Sequence, residues 1–80
     1  MSRQHHYLKT ETQYYQAIEH GKKKFELRKN DRNFQIGDMI YLEEVVGVIK
    51  TGRILPQFEI QYIMYGGEFG LNKDYCIINW

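Results

Sequence analysis

The sequence is poor in the residues that cross-link or interrupt a chain, and it has no long apolar run. It contains one cysteine, Cys76, and one proline, Pro56, in 80 residues. A single cysteine excludes an internal disulfide and favours a reducing compartment. No apolar run approaches the roughly 20 residues of a membrane-spanning helix, and residues 1–6 lack the hydrophobic segment of a secretion signal. We therefore expect a soluble, cytoplasmic protein with no membrane partner.

The chain also lacks a large charge excess and the length for a second domain. Its formal net charge of +1 argues against a protein that coats DNA without specificity. A local basic patch is nevertheless enough to contact a few phosphates. Eighty residues predict one domain, 1–80. A core of this size supplies only about 3–5 kcal/mol of net stability, which favours a shallow groove over a deep cavity.

The histidines do not indicate a metal site. His5 and His6 are adjacent, and adjacent residues of a strand point to opposite faces. His20 stands alone in the sequence, whereas zinc requires three or four ligands. We predict no metal and no cofactor.

Charge is instead concentrated in residues 21–32. This stretch holds six of the eleven basic residues and two acids: Lys22, Lys23, Lys24, Arg28, Lys29 and Arg32, with Glu26 and Asp31. Phe25 and Leu27 alternate with charged residues, and this period of two predicts a strand with the apolar pair on its core face. By strict alternation Lys23 would join that pair. We predict that the chain either bulges or still turns after Gly21, so that Lys23, Glu26 and Arg28 converge on one groove.

The remaining pattern predicts one helix followed by four or five strands. Residues 5–9 open as a short strand, and the spacing of Thr10 and Gln13 indicates a capping box at the start of a helix that ends before Gly21. Further strands are predicted at residues 24–29, 39–46, 53–65 and 75–80, with Pro56 marking an edge, a bulge or the entry of its strand. Short connections favour antiparallel pairing. The fold class is therefore α+β, a small barrel or strongly curled sheet.

One motif in the charged stretch resembles a known family. Gly21-x-Lys23-x-x-Glu26-x-Arg28 is similar to the signature of the ASCH superfamily, named for activating signal cointegrator homology. With residues 6–9, 28–38 and 69–71, it resembles a branch of small bacterial and phage proteins whose function is uncharacterised. The resemblance implies a PUA-like fold, which is a curled β-barrel flanked by helices. It also implies RNA or nucleotide binding.

Three residues of the motif suit a nucleic-acid ligand. Arg28 carries a rigid fork of donors for a phosphate or a base edge, and Lys23 is a compact charge for phosphate. Glu26 can hold the guanidinium in place or accept from a base amino group. The alternative for the same residues is a surface salt bridge worth about 0–1 kcal/mol.

Four other residues complete the predicted ligand-binding set. By the resemblance, His6 and Lys9 fall on family positions and line the groove. Arg32 adds salt-dependent attraction for RNA, together with the neighbouring lysines. Phe69, in the glycine-rich loop 66–70, either stacks on a base, worth about 1–3 kcal/mol, or tucks into the end of the barrel.

These observations leave three classes of function open. The leading hypothesis is a non-catalytic module that binds RNA or a nucleotide. The alternative is a small amidohydrolase or ribonuclease acting on a modified nucleoside or on RNA, with Lys23 as the activating group and Glu26 as general acid/base. Some ASCH relatives hydrolyse acetylated cytidine with a Lys, a Thr and a Glu; the Lys matches Lys23, but Glu26 occupies the Thr position. The third class is a protein-interaction domain that uses the sheet edge near Pro56.

Overall fold

The computed structural model describes residues 2–80, which form six strands and one short helix. In chain order the elements are β1 His5–Glu11, α1 Thr12–Glu19, β2 Phe25–Lys29, β3 Met39–Val46, β4 Ile49–Glu59, β5 Tyr62–Tyr65 and β6 Tyr75–Asn79. No helix among these residues is long and apolar enough to cross a membrane.

The strands form two three-stranded sheets. The first sheet has the order β1-β3-β4 and the second has the order β2-β6-β5. β1 runs parallel to β3, in register from His5 opposite Met39 to Glu11 opposite Val45, and the connection between them contains α1 and β2, which belongs to the other sheet. The other three ladders are antiparallel, as predicted for most of the pairings.

The strands within residues 2–80 do not close into a barrel, so the PUA-like fold that the resemblance implies is not confirmed. β1 and β2 lie at the edges of different sheets, with no backbone ladder between them. Two arginine side chains bridge this seam. Arg28 donates through Nη2 to the Lys9 carbonyl at 2.6 Å, and Arg32 donates through Nη1 to the Tyr7 carbonyl at 2.8 Å. These guanidinium groups satisfy strand-edge carbonyls that a neighbouring strand would otherwise pair.

The predicted capping box at Thr10 is wrong, because β1 continues through this residue. Thr10 is buried, like Leu8 and His6 two and four residues earlier, so strand alternation extends to the end of β1. Its hydroxyl donates to the Leu8 carbonyl rather than to the helix. α1 begins at Thr12 without a side-chain cap. Parallel pairing with β3 therefore outweighs the local capping pattern.

The predicted face of β2 is also wrong, although its period of two is right. Phe25 and Leu27 point to solvent, and Glu26 is only 6% exposed. Glu26 pairs in register with the fully buried Ile78, so it lies on the inner face of the second sheet. A carboxylate tolerates this position only with charged partners, which are described below.

The core lies between the two sheets and under α1. Its buried members are Leu8, Tyr15, Ile18, Phe34, Ile40, Leu42, Ile60, Ile63, Cys76 and Ile78. Burial raises the pKa of the Cys76 thiol, as expected for a small hydrophobic residue rather than a reactive one.

The long strand predicted over 53–65 is divided at Ile60. This buried residue carries the chain from the first sheet to the second. Its backbone N–H donates to the Asp38 carbonyl at 2.9 Å and its carbonyl accepts from the Gly37 N–H at 2.8 Å. β4 is an edge strand, in agreement with the interpretation of Pro56.

Candidate functional site: a groove at the seam between the sheets

A groove of about 410 Å³ opens where the end of β1, the start of α1 and β2 meet. Its lining residues are Lys9, Thr10, Glu11, Tyr14, Lys23, Phe25, Glu26, Leu27 and Arg28. The structure thus brings together four of the seven predicted ligand-binding residues: Lys9, Lys23, Glu26 and Arg28.

Lys23 reaches the groove because it lies before the strand, as the sequence predicted. Gly21, at a φ of +74°, ends the helical segment, and the N–H groups of Lys22 and Lys23 both donate to the Ala17 carbonyl. β2 begins only at Phe25, so strand alternation does not fix the direction of the Lys23 side chain. Its ammonium donates to the Phe25 carbonyl at 2.6 Å and to the Glu26 carboxylate.

Glu26 holds the two cations of the motif together. Its Oε1 accepts from Lys23, and its Oε2 accepts from Arg28 Nε at 3.0 Å. A buried carboxylate costs free energy unless it is paired and hydrogen-bonded. The three side chains therefore form one fixed group with a formal charge of +1, the convergence that the sequence predicted.

Arg28 is held on two sides and keeps donors free. Nε and Nη2 contact Glu26, and Nη2 also contacts the Lys9 carbonyl. Nη1 has no hydrogen-bond partner among residues 2–80. A guanidinium whose orientation is fixed and whose remaining N–H groups are unused is ready to donate to an anion or a base edge.

The walls of the groove are aromatic and apolar. Tyr14, Phe25 and Leu27 are each about half exposed. The Lys23 ammonium lies 5.5 Å from the centroid of the Tyr14 ring and 4.8 Å from that of Phe25, within the range of cation–π attraction. Sequence reasoning placed Phe25 in the core. The one signal for its exposure was its closeness to Lys23 in the sequence.

His6 is not brought to the groove. It is buried on the inner face of β1, with its ring 4.7 Å from that of Phe34 and its Nε2 2.9 Å from Asp38 Oδ2. Asp38 also accepts from the backbone N–H groups of Gln4 and Gln35. Burial raises the pKa of the Asp38 carboxyl, but the hydrogen bond from His6 and the two backbone hydrogen bonds outweigh it, so the pKa lies below its ordinary value.

Arg32 and Phe69 lie outside the groove. Arg32 bridges the seam to β1 and lines a smaller cavity of about 120 Å³, which shares Arg28 with the groove. Phe69 is 87% exposed at a φ of +53°, so it is not tucked into the core.

A wider hollow of about 700 Å³ lies beyond the other end of β1 and includes Arg3 and Asp38. The Asp38 carboxylate there is already engaged by three donors. Among residues 2–80, no three His, Cys, Asp or Glu side chains are placed to hold a metal ion. The groove at the seam is therefore the better candidate site.

Two comparisons with known proteins bear on this chain. A family model described as "Domain of unknown function (DUF3850)" matches residues 5–80. The chain is also 42% identical over 48 residues to the "Uncharacterized 12.9 kDa protein in GpA 3'region" of Escherichia phage P2. That match covers 60% of this chain and 44% of the phage protein, so it spans less than half of the relative. The resemblance to the ASCH superfamily is carried by the motif and stays a prediction.

Proposed function

The chain belongs to the DUF3850 family of domains, and we propose that it is a non-catalytic module that binds RNA or a nucleotide. One observation carries the proposal: Lys23, Glu26 and Arg28 form a fixed charged group in a groove with exposed aromatic walls. We also propose that the two sheets are an open form of the PUA-like fold that the motif implies. The cytoplasm is the proposed compartment.

The charged group supplies the phosphate-binding element. Arg28 has an unused nitrogen, and Lys23 uses two of the three N–H donors of its ammonium. Glu26 already fixes the orientation of both cations. The side chains therefore lose little further conformational entropy when a phosphate binds. Lys9 on the same rim adds a second positive charge near the anion.

The aromatic walls supply the base-binding element. A base that enters between Tyr14 and Phe25 can stack on an exposed ring, which is worth about 1–3 kcal/mol. A volume of about 410 Å³ is that of a small-ligand pocket. Bases inside a duplex are stacked on one another and present only their edges. Single-stranded RNA or a free nucleotide therefore fits this groove better than a duplex.

The proposal is tested by fluorescence anisotropy with a labelled single-stranded RNA and with competing nucleotides, over a series of salt concentrations. Hydrogen bonds to charged groups are worth about 1.5–3 kcal/mol, so Arg28→Ala is expected to weaken binding by about 10- to 150-fold. Loss of one phosphate contact should also reduce the salt slope by about 0.7.

The matched control is Arg3→Ala, which removes the same kind of charge from the hollow beyond the other end of β1. It is expected to leave affinity nearly unchanged. Equal affinity of the wild-type and Arg28→Ala proteins, both folded by circular dichroism, would contradict the proposal.

A small amidohydrolase is the second candidate, because Lys23 and Glu26 are in direct contact inside the groove. Acetylated and amide-bearing nucleosides are the substrates to screen. Turnover by the wild-type protein that disappears in Lys23→Ala would favour the enzyme over the binding module. Binding without turnover in both proteins would favour the module.

A further inference from the structure

The outward side of the second sheet is a continuous apolar surface, which we call the apolar face. Strand alternation places side chains of β2, β6 and β5 on this side, in register across the ladders. Leu27 lies opposite Ile77, which lies opposite Met64. The six large members of the apolar face are Phe25, Leu27, Tyr62, Met64, Tyr75 and Ile77.

The exposed area of this face is large for an 80-residue protein. Five of its six members are between 36% and 60% exposed, and Ile77 is partly buried. If a large apolar side chain offers about 200 Å², the exposed parts amount to about 450 Å². The largest apolar patch of a typical monomer covers about 300–600 Å² and is often functional.

The few charges on the apolar face indicate what kind of molecule packs on it. The outward position between Phe25 and Tyr62 is held by the uncharged Asn79, and the one charged residue on the outward side of these strands is Lys29, at the corner opposite Tyr75. Another cation, Lys23, lies 4.8 Å from the Phe25 ring at the edge shared with the groove, so the centre of the face offers a polyanion no partner charge. When two copies of this face pack together, no like charges meet at the centre of the interface. Twisted sheets also pack well face to face, about 10 Å apart.

The area of the six side chains approaches what a dimer needs. Two copies that cover each other's apolar face bury about 900 Å² from the six side chains of each copy, and strand rims add to this value. A specific interface buries at least about 1,000–1,200 Å² in total. We propose that the apolar face packs on the same face of a second copy, so that the protein is a two-fold symmetric homodimer in solution, with Phe25 and Leu27 of the edge strand β2 shared between the interface and the wall of the groove.

Sedimentation equilibrium tests the proposal, from low micromolar to about 0.5 mM protein. The wild-type chain is expected to reach twice its mass of 9.7 kDa within this range. Met64→Lys and Ile77→Lys place a charge on β5 or β6, away from the groove, and should weaken association by at least tenfold. Circular dichroism checks that each variant is folded.

The matched control is Val48→Lys, which adds the same charge at a 94% exposed valine between β3 and β4. It should dimerise like the wild-type protein. A wild-type chain that stays at 9.7 kDa over the whole range overturns the proposal, whether or not the variants fold. Equal weakening by Val48→Lys and Met64→Lys also overturns it, and so does a monomer that binds a different protein through this face.

Discussion

Replacing Glu26 by glutamine tests whether the groove is organised in advance by its charged group. The substitution keeps the size and shape of the side chain and removes the charge that joins Lys23 to Arg28. Glutamine keeps one acceptor oxygen, so it can accept from one cation while its NH₂ group faces the other. We therefore expect the free energy of unfolding to fall.

The magnitude follows from the burial of the three side chains. Glu26 is 8% exposed at its side chain, while Lys23 and Arg28 are 17% and 24% exposed. Breaking a fully buried pair costs about 3–5 kcal/mol, and a hydrogen bond to a charged group is worth about 1.5–3 kcal/mol. Because both cations keep some contact with water, we expect a loss of about 2–3 kcal/mol. This loss corresponds to a decrease in Tm of about 10–20 °C.

Urea and thermal unfolding measure this loss, with Glu43→Gln as the matched control. Glu43 is also a strand glutamate paired with a lysine, but its partner Lys50 is 55% exposed and the two atoms are 3.3 Å apart. A pair of this kind contributes about 0–1 kcal/mol. If Glu26→Gln destabilises the protein no more than Glu43→Gln, the charged group is an ordinary surface salt bridge and the groove is not preorganised.

Two further predictions concern the walls of the groove and the acid stability of the core. Tyr14→Ala removes an exposed ring from the groove and should weaken RNA binding by about 5- to 150-fold, from a stacking energy of about 1–3 kcal/mol. Phe69→Ala removes a ring that lies outside the groove and should leave binding unchanged in the same anisotropy titration. An equal loss in both variants would show that the ligand does not enter the groove. The lowered pKa of Asp38 means that its carboxylate stabilises the fold above the ordinary value of 3.8. This contribution is lost as the pH falls through the lowered pKa. Asp38→Asn should therefore flatten the acid limb of a plot of urea midpoint against pH, and an unchanged acid limb would contradict this assignment.

The sequence pattern predicted where side chains alternate along a strand better than it predicted which of them face the core. The opening strand predicted over residues 5–9 is present as the first part of β1. In β2 the same reasoning put Phe25 and Leu27 inside, because a charged row usually faces water. The sequence does not show that Lys23 and Arg28 neutralise Glu26, and this pairing makes the inward position tolerable.

Long-range contacts explain the other differences. A small barrel or strongly curled sheet was expected, whereas Arg28 and Arg32 bond to carbonyls 19 and 25 residues away and bridge an open seam between two sheets. Such contacts between a side chain and a distant backbone group leave no periodic signal. The direction of Lys23 was predictable because it depends on a local feature, the turn at Gly21.

The most direct test of the central claim is an NMR titration of ¹⁵N-labelled protein with a short single-stranded RNA. If the groove binds the ligand, the amide signals that shift should belong to residues 9–14 and 23–28, which surround it. Shifts confined to the hollow around Arg3 and Gln35, or no shifts at all, would contradict the proposed binding site.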